Sequence, residues 1–360
     1  MKQARKRFLS LLLALCLVLG LIPGTAIPSF AAESTTGKGV TLPTVYGGEY
    51  NMAEQSSDIE IGAGGFYRLW GTKDGISVIV TAADSVTLVL EGLTLTNTKS
   101  PIQLKAGANV TLVLLDGTVN SVTCTAADVA GKETASGMTA GINVPEGATL
   151  TVDKEAGKAG TGSLTVQGGY GGAGIGGGAA VQAYTDERGK TGANGRGGGN
   201  GSSAVNSPYG GNGGIGGPGG LFGADAEKAG SVIIHAGTLA VTGGQYAAGI
   251  GGGLGADGET PAEAGKKGNG GVAAVSGSKD SSFPGSGGGG GSGGNGGNGG
   301  NGGKGGSLTA LTVTGGTLTV TGGENAAGIG GGAGGTGGDG GQGGAGGSGG
   351  AGALQRSGSL

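Results

Sequence analysis

Three stretches decide the fold: GSLTVQGGYGGAGIGGG from Gly162, GTLAVTGGQYAAGIGGG from Gly237 and GTLTVTGGENAAGIGGG from Gly316. They begin 75 and then 79 residues apart, and each opens on a short alternation of apolar with polar or β-branched residues, the pattern of a half-buried strand. Each closes on an isoleucine set among glycines. The Ala-Gly-Ile core also stands at Ala140-Gly141-Ile142, so Ile142, Ile175, Ile250 and Ile329 are expected to be equivalent inward residues of successive turns. The flanking glycines let the backbone bend sharply beside them.

The same grammar runs through the first half of the chain. Val86-Thr87-Leu88-Val89-Leu90 returns 24 residues later as Val110-Thr111-Leu112-Val113-Leu114, and IQLKAGANVTL from Ile102 realigns at an offset of 40 with INVPEGATLTV from Ile142. Short β-rich repeats that cannot bury their own faces stack on one another. The expected fold is all-β: a right-handed parallel β-helix (β-solenoid) over 76–177, continuing through 178–360 with long glycine-rich insertions. Val86, Leu88, Val110, Leu112, Ile142, Leu150 and Val152 are its expected inward ladders. Residues 32–75 are expected to form an amino-terminal segment and cap.

The insertions fall at one recurring turn. After Ile142 a short turn, Pro145 to Ala148, leads to the next strand, whereas after Ile175, Ile250 and Ile329 the chain enters glycine-rich segments at 178–230, 253–307 and 332–353. Stacked turns would project these segments from one edge, side by side. Ser292, Asn295, Asn298, Asn301, Lys304 and Ser307 are each separated by two glycines, as are Ala333, Thr336, Asp339, Gln342, Ala345, Ser348 and Ala351. A left-handed extended helix has three residues per turn, so Gly-Gly-X puts every X on one edge and leaves two bare edges for close approach. Either adjacent runs form a polyglycine II bundle, or they remain solvated linkers.

The ends and the composition bound the setting. Lys2, Arg5, Lys6 and Arg7 precede an apolar run from Phe8 to Ile22, then Pro23 and the small-residue site Ser29-Phe30-Ala31, the layout of a secretory signal peptide over 1–31. Pro23 breaks the run before it reaches bilayer length. Its removal would leave Cys124 without a disulfide partner, and 17 Lys and Arg against 24 Asp and Glu, a net charge near −7. Such a balance offers nothing to nucleic acid. Of 98 glycines, 77 fall in the last 193 residues, which are therefore too poor in large apolar side chains for an ordinary globular core.

Little in the chain carries catalytic chemistry. G-x-G-x-x-G matches are expected by chance in such a segment, and Gly189-Lys190-Thr191 has Tyr184 where a phosphate loop needs its first glycine. Two stretches, Gly252 to Asp257 and Gly334 to Asp339, match the opening of a calcium-binding nonapeptide, but Glu259 and Gly341 stand where a large apolar residue is required. Calcium is the one cofactor with any signal. The single histidine, His235, shares a strand face with Ile233 and reads as an ordinary strand residue. At the offset of 24, Asp84 aligns with Ala108, Glu91 with Leu115 and Asp116 with Gly92, so no acidic column for polysaccharide cleavage forms. Phe66, Tyr67 and Trp70 are the densest aromatic group, suited to sugar rings or to capping the amino-terminal end. Candidate ligand-contacting residues are Tyr67, Trp70, Asn295, Asn298 and Asn301; no catalytic, cofactor or metal residues are assigned.

INVPEGATLTV and GTLTVTGGxxAAGIGGG resemble the repetitive β-helical secreted proteins of Gram-positive, clostridia-like bacteria, often described as carbohydrate-binding or surface proteins. The likeness spans roughly 76–353. The Gly-Gly-X runs are similar to the polyglycine II layers of some phage tail-tip adhesins and of a small arthropod antifreeze protein. The resemblance implies a secreted or surface-associated bacterial protein that engages extracellular glycans or surface polymers without catalysis. A polysaccharide lyase or glycoside hydrolase on a β-helix is the alternative, and a purely structural spacer a further one.

Overall fold

The computed structural model describes residues 39–127, 139–180, 214–261, 263–269 and 291–348, with the short strand 30–31 and residues 191, 193, 194, 196 and 212. The signal-peptide expectation, apart from Phe30 and Ala31, lies outside the described residues, as do parts of each glycine-rich insertion.

Among the described residues the chain is all-β with almost no helix, its parallel sheets curled into a half-barrel. A seven-stranded sheet joins β3 (Ile59–Ile61), β5 (Val78–Val80), β7 (Ile102–Leu104), β10 (Ile142–Asn143), β13 (Ile175–Gly176), β16 (Ile250–Gly251) and β19 (Ile329–Gly330), every pair parallel. Its register sets Ile102 beside Ile142, Ile142 beside Ile175, Ile175 beside Ile250 and Ile250 beside Ile329. Ile102, Ile142, Ile175 and Ile250 are fully buried; Ile329, on the edge strand, keeps the register but is 37% exposed, and is the one member of the expected inward set that is not buried.

The larger sheet grows from β6 (Val86–Asn97), which turns at Gly92, a glycine with φ of 69°. Before the turn β6 pairs with β8 (Asn109–Leu114), and the ladder continues through β11 (Thr149–Lys154), β14 (Ala229–Ile234) and β17 (Leu308–Val313). Beyond the turn it pairs with β9 (Val119–Cys124), followed by β12 (Ser163–Gln167), β15 (Thr238–Thr242) and β18 (Thr317–Thr321). The short strand β1 (Phe30–Ala31) lies antiparallel to β18. Register follows the sequence offsets: Val86 faces Val110, Leu150 faces Val110, and Thr238 faces both Ser163 and Thr317.

Period-two alternation sends Val86, Leu88, Val110, Leu112, Leu150 and Val152 into one apolar core with Ile142, all at or below 1% exposure. One polar side chain serves the corner beside Gly92. Asn120, fully buried, accepts from the Leu93 N–H at 2.9 Å and donates to Ser163 O at 3.0 Å and Thr118 Oγ1 at 3.1 Å. A buried amide so paired escapes the cost of an unmet hydrogen bond.

The paired strands begin well before residue 76. β2 (Gly48–Asn51) lies outside β4 (Gly65–Asp74), which in turn pairs with β6, so Phe66, Tyr67 and Trp70 sit one strand in from the edge rather than closing the end. Buried Met52, just after β2, lies closer to that end. Farther upstream, Val40 runs beside the end of β11, its N–H donating to Lys154 O at 2.8 Å and its carbonyl accepting from the Ala156 N–H at 2.9 Å.

The chain divides into two compact units: residues 1–181, 225–255 and 305–333 form one, which holds the sheets, and residues 182–224, 256–304 and 334–360 the other. In the second unit, four runs at 214–224, 256–269, 291–304 and 334–348 are tied by backbone hydrogen bonds. Gly214, Gly217, Gly220 and Gly223 donate to the carbonyls of Ser292, Asn295, Asn298 and Asn301 at 2.8–2.9 Å. Gly294, Gly300 and Gly303 donate to Lys266, Glu259 and Ala256, while Gly335, Gly338, Gly341, Gly344 and Gly347 donate to Gly303, Gly300, Gly297, Gly294 and Gly291. Burial repeats every three residues along 291–304.

Candidate functional site

On β4 the alternation decides which aromatic rings reach solvent. Tyr67 and Leu69 point inward; Tyr67 is 8% exposed and its hydroxyl donates to Ala63 O at 2.9 Å. Tyr67 is therefore removed from the candidate ligand-contacting residues. Phe66, Arg68 and Trp70, the intervening positions, are partly exposed on the outer face.

Three parallel strands assemble polar groups around this row. Register sets Glu49 of β2 beside Arg68, Asn51 beside Trp70, and Glu91 of β6 on the other side of Trp70. Arg68 Nε donates to Glu91 Oε2 at 2.6 Å, its second terminal nitrogen also contacts that oxygen, and Nη1 donates to Glu49 Oε1 at 3.2 Å. The Glu91 hydrogen bond raises the Arg68 pKa against an opposing desolvation, so the guanidinium stays charged. It lies 5.4 Å from the Trp70 ring centroid, an arrangement that holds both groups in place. Asn51 donates to Glu54 Oε1 at 2.7 Å. The result is a partly exposed indole with the guanidinium over its ring and two carboxylates and an amide on the neighbouring strands, an aromatic group beside donors and acceptors. Such a surface offers aromatic area and hydrogen-bonding groups side by side. Because these ion pairs are solvent-exposed and individually weak, a hydroxyl can replace one partner at little cost.

Sequence reasoning missed Arg68, Glu49 and Glu91. The alternation Phe66-Arg68-Trp70 was the available signal for Arg68; the carboxylates become neighbours only through strand pairing.

A second aromatic group stands on adjacent copies of the long repeat. Tyr170 and Tyr246 meet edge to face, centroids 5.9 Å apart and planes at 85°. Tyr246 has φ of 65° at the position taken by Gly171 (φ 66°) and Asn325 (φ 58°) in the other copies. A bulky residue in this region is strained, and its surroundings must hold it there. Its N–H donates to Glu324 O at 3.1 Å, and Gln245 Nε2 to Glu324 Oε2 at 3.0 Å.

Asn295, Asn298 and Asn301 lie in the other unit, in one exposed row three residues apart, their carbonyls engaged by the glycine amides and their side chains outward.

Among the described residues no cluster of three or more His, Cys, Asp or Glu is placed to hold a metal ion. Asp257, from the first nonapeptide-like stretch, accepts the Thr336 N–H at 2.6 Å. His235 Nδ1 is 2.6 Å from Thr314 Oγ1. Cys124 is 2% exposed, and burial pushes its thiol pKa up, away from nucleophilic use. No helix among the described residues is long and apolar enough to cross a membrane.

Residues 55–182 match the model of a family described as carbohydrate-binding domain-containing protein. The matched span includes β4 with Arg68 and Trp70, as well as Glu91 and Tyr170; Glu49 and Tyr246 fall outside it. No curated protein and no solved structure matches the chain.

Proposed function

We propose that this is a non-catalytic, carbohydrate-binding protein of the bacterial cell surface, adhesin-like in role, engaging extracellular glycans through the outer face of β2, β4 and β6. The proposal includes its architecture: the parallel ladders form a right-handed β-helix, and the glycine runs form polyglycine II layers. The observation that carries the binding assignment is the coincidence of the family match over 55–182 with the Trp70–Arg68 face inside it. Glu49 and Glu91 both bond Arg68, an arrangement suited to orienting hydroxyls more than to moving protons.

The test is glycan-array binding followed by calorimetry on the strongest ligand. An aromatic contact adds roughly 0.5–1.5 kcal/mol beyond its buried area, so Trp70→Ala should weaken affinity by a few-fold to about tenfold. Tight binding unchanged in a folded Trp70→Ala protein would remove this face from the proposal. New reducing ends or unsaturated sugars after incubation with pectins, mucins and other polysaccharides would favour the lyase or hydrolase alternative. Neither binding nor cleavage would favour a structural spacer.

A further inference from the structure

Tyr246 occupies a position that its own turn does not require a tyrosine to fill. In each copy of the long repeat, β12, β15 or β18 runs into two glycines and a two-residue turn. The turns are closed by Gly172 N–H to Gly169 O at 2.9 Å, Ala247 N–H to Gly244 O at 3.0 Å and Ala326 N–H to Gly323 O at 3.2 Å. The second turn residue has φ between 58° and 66°, and it is Gly171, then Tyr246, then Asn325. Glycine and asparagine enter this region at little cost, whereas a tyrosine is strained there. The first turn residue is Tyr170, then Gln245, then Glu324, so the turn forms without an aromatic residue at either position. Tyr170 and Tyr246 nevertheless put two half-buried rings edge to face at one corner, next to the exposed Gln245 amide and Glu324 carboxylate.

The corner borders a sheet face that begins at Trp70. Past the register shift at Trp70/Gly71, Thr72 and Asp74 of β4 are exposed, and Thr72, Thr94, Ser121 and Thr165 stand side by side on β4, β6, β9 and β12. Thr165 and Gln167 of β12 and Thr238 and Thr242 of β15 are exposed as well. Hydroxyls and an amide, each able to donate and accept, thus lie between the two aromatic groups. The charged side chains in these outward rows and at the corner, Asp74 and Glu324, are negative, as are Glu49 and Glu91 beside Trp70. All of these residues belong to the unit that holds the sheets.

We infer that the Tyr170–Tyr246 corner is a second saccharide subsite, and that the ligand is an extended neutral polysaccharide lying across the outer face of β9, β12 and β15 from Trp70 to the tyrosines. The subsite rests on the glycan-binding reading above and adds to it the length and charge of the ligand. Strands spaced about 4.7–4.9 Å apart, with a rise of about 3.3 Å per residue, put the two aromatic groups on the order of 20 Å from each other. Several linked sugars span that distance; one or two do not. A polymer of acidic sugars would meet carboxylates at both ends of the face, and like charges brought together oppose binding.

Calorimetry of the purified protein with neutral gluco-, xylo- and manno-oligosaccharides from disaccharide to octasaccharide, and with oligogalacturonates of the same lengths, provides the test. Affinity for a neutral series should rise several-fold from disaccharide to octasaccharide, with oligogalacturonates weaker at each length. Tyr246→Asn, the residue type that the third copy carries there, should leave Tm unchanged or higher, because relief of the strained backbone offsets the lost ring contact. It should also lower octasaccharide affinity by a few-fold to about tenfold and remove the gain with length. Octasaccharide binding that Trp70→Ala weakens and Tyr246→Asn does not would overturn the second subsite and leave the Trp70 face standing. Affinity that stops growing at the disaccharide, tighter binding of oligogalacturonates, or a lower Tm in Tyr246→Asn would also overturn it. Absence of binding to any glycan would overturn the subsite and the glycan-binding reading together.

Discussion

Asp116 holds a neighbouring turn with one carboxylate: Oδ1 accepts from the Gly160 and Thr161 amides at 2.8 and 2.9 Å, and Oδ2 from Ala159 at 2.9 Å. Desolvation alone would push this carboxyl up, but the amides of Thr161, Gly160 and Ala159, aided by Lys158, outweigh it and leave the pKa below the usual carboxylate value. A depressed folded pKa means that the ionised form stabilises the fold above the unfolded pKa, about 3.9 for Asp, and that this contribution is lost as pH falls through the folded value. Asp116→Ala should therefore lower Tm at neutral pH, with the gap from the unaltered protein closing in acid. A gap of constant size from neutral to strongly acidic pH would assign the contacts no ionic component. The same scale shows what the sequence conceals. Proximity grouped Phe66, Tyr67 and Trp70, yet strand alternation buries the middle ring. Arg68 finds its partners 19 and 23 residues away, a relation visible only once β2, β4 and β6 are neighbours.

The elements were legible wherever the chain repeats itself with apolar alternation. Offsets of 24, 40, 75 and 79 became the registers of β6 with β8, β8 with β11, β12 with β15 and β15 with β18. Legibility failed for the strands upstream of residue 76. Those of β2 and β3 are four and three residues long, and β4 changes register between Trp70 and Gly71, so no fixed offset marks them. The ladders make a direct prediction at Leu112, fully buried between Leu88 and Val152. An aspartate there places a charge in apolar surroundings with no partner, at a cost of several kcal/mol against a total stability of about 5–15 kcal/mol. Leu112→Asp should lose its cooperative thermal transition or melt far below the unaltered protein, as followed by circular dichroism. An unchanged melting curve would mean that this face does not carry the core.

At the scale of the molecule, two different solutions to packing coexist in one chain. The unit with the sheets buries branched side chains in the usual way, whereas the other has few to bury and relies on close approach of backbone. The period of three in the sequence indicated which residue of each triplet projects, but not which run lies beside which. That depends on the carbonyls each glycine edge meets. Because one run is held by several others, its order should be cooperative, and the two substitutions that test this differ by one position. Gly297 lies where any Cβ would come 1.9 Å from the Pro218 oxygen, so Gly297→Val must force the runs apart. Asn298 projects into solvent, and Asn298→Ser changes only that projection. Amide hydrogen exchange across 291–304 should show slow exchange in the unaltered protein and in Asn298→Ser, and a fall in protection across the whole run in Gly297→Val. Loss confined to the residues next to 297 would point to runs that are ordered one by one. Fast exchange already in the unaltered protein would return these segments to the class of flexible linkers, leaving the sheets as the ordered part of the chain.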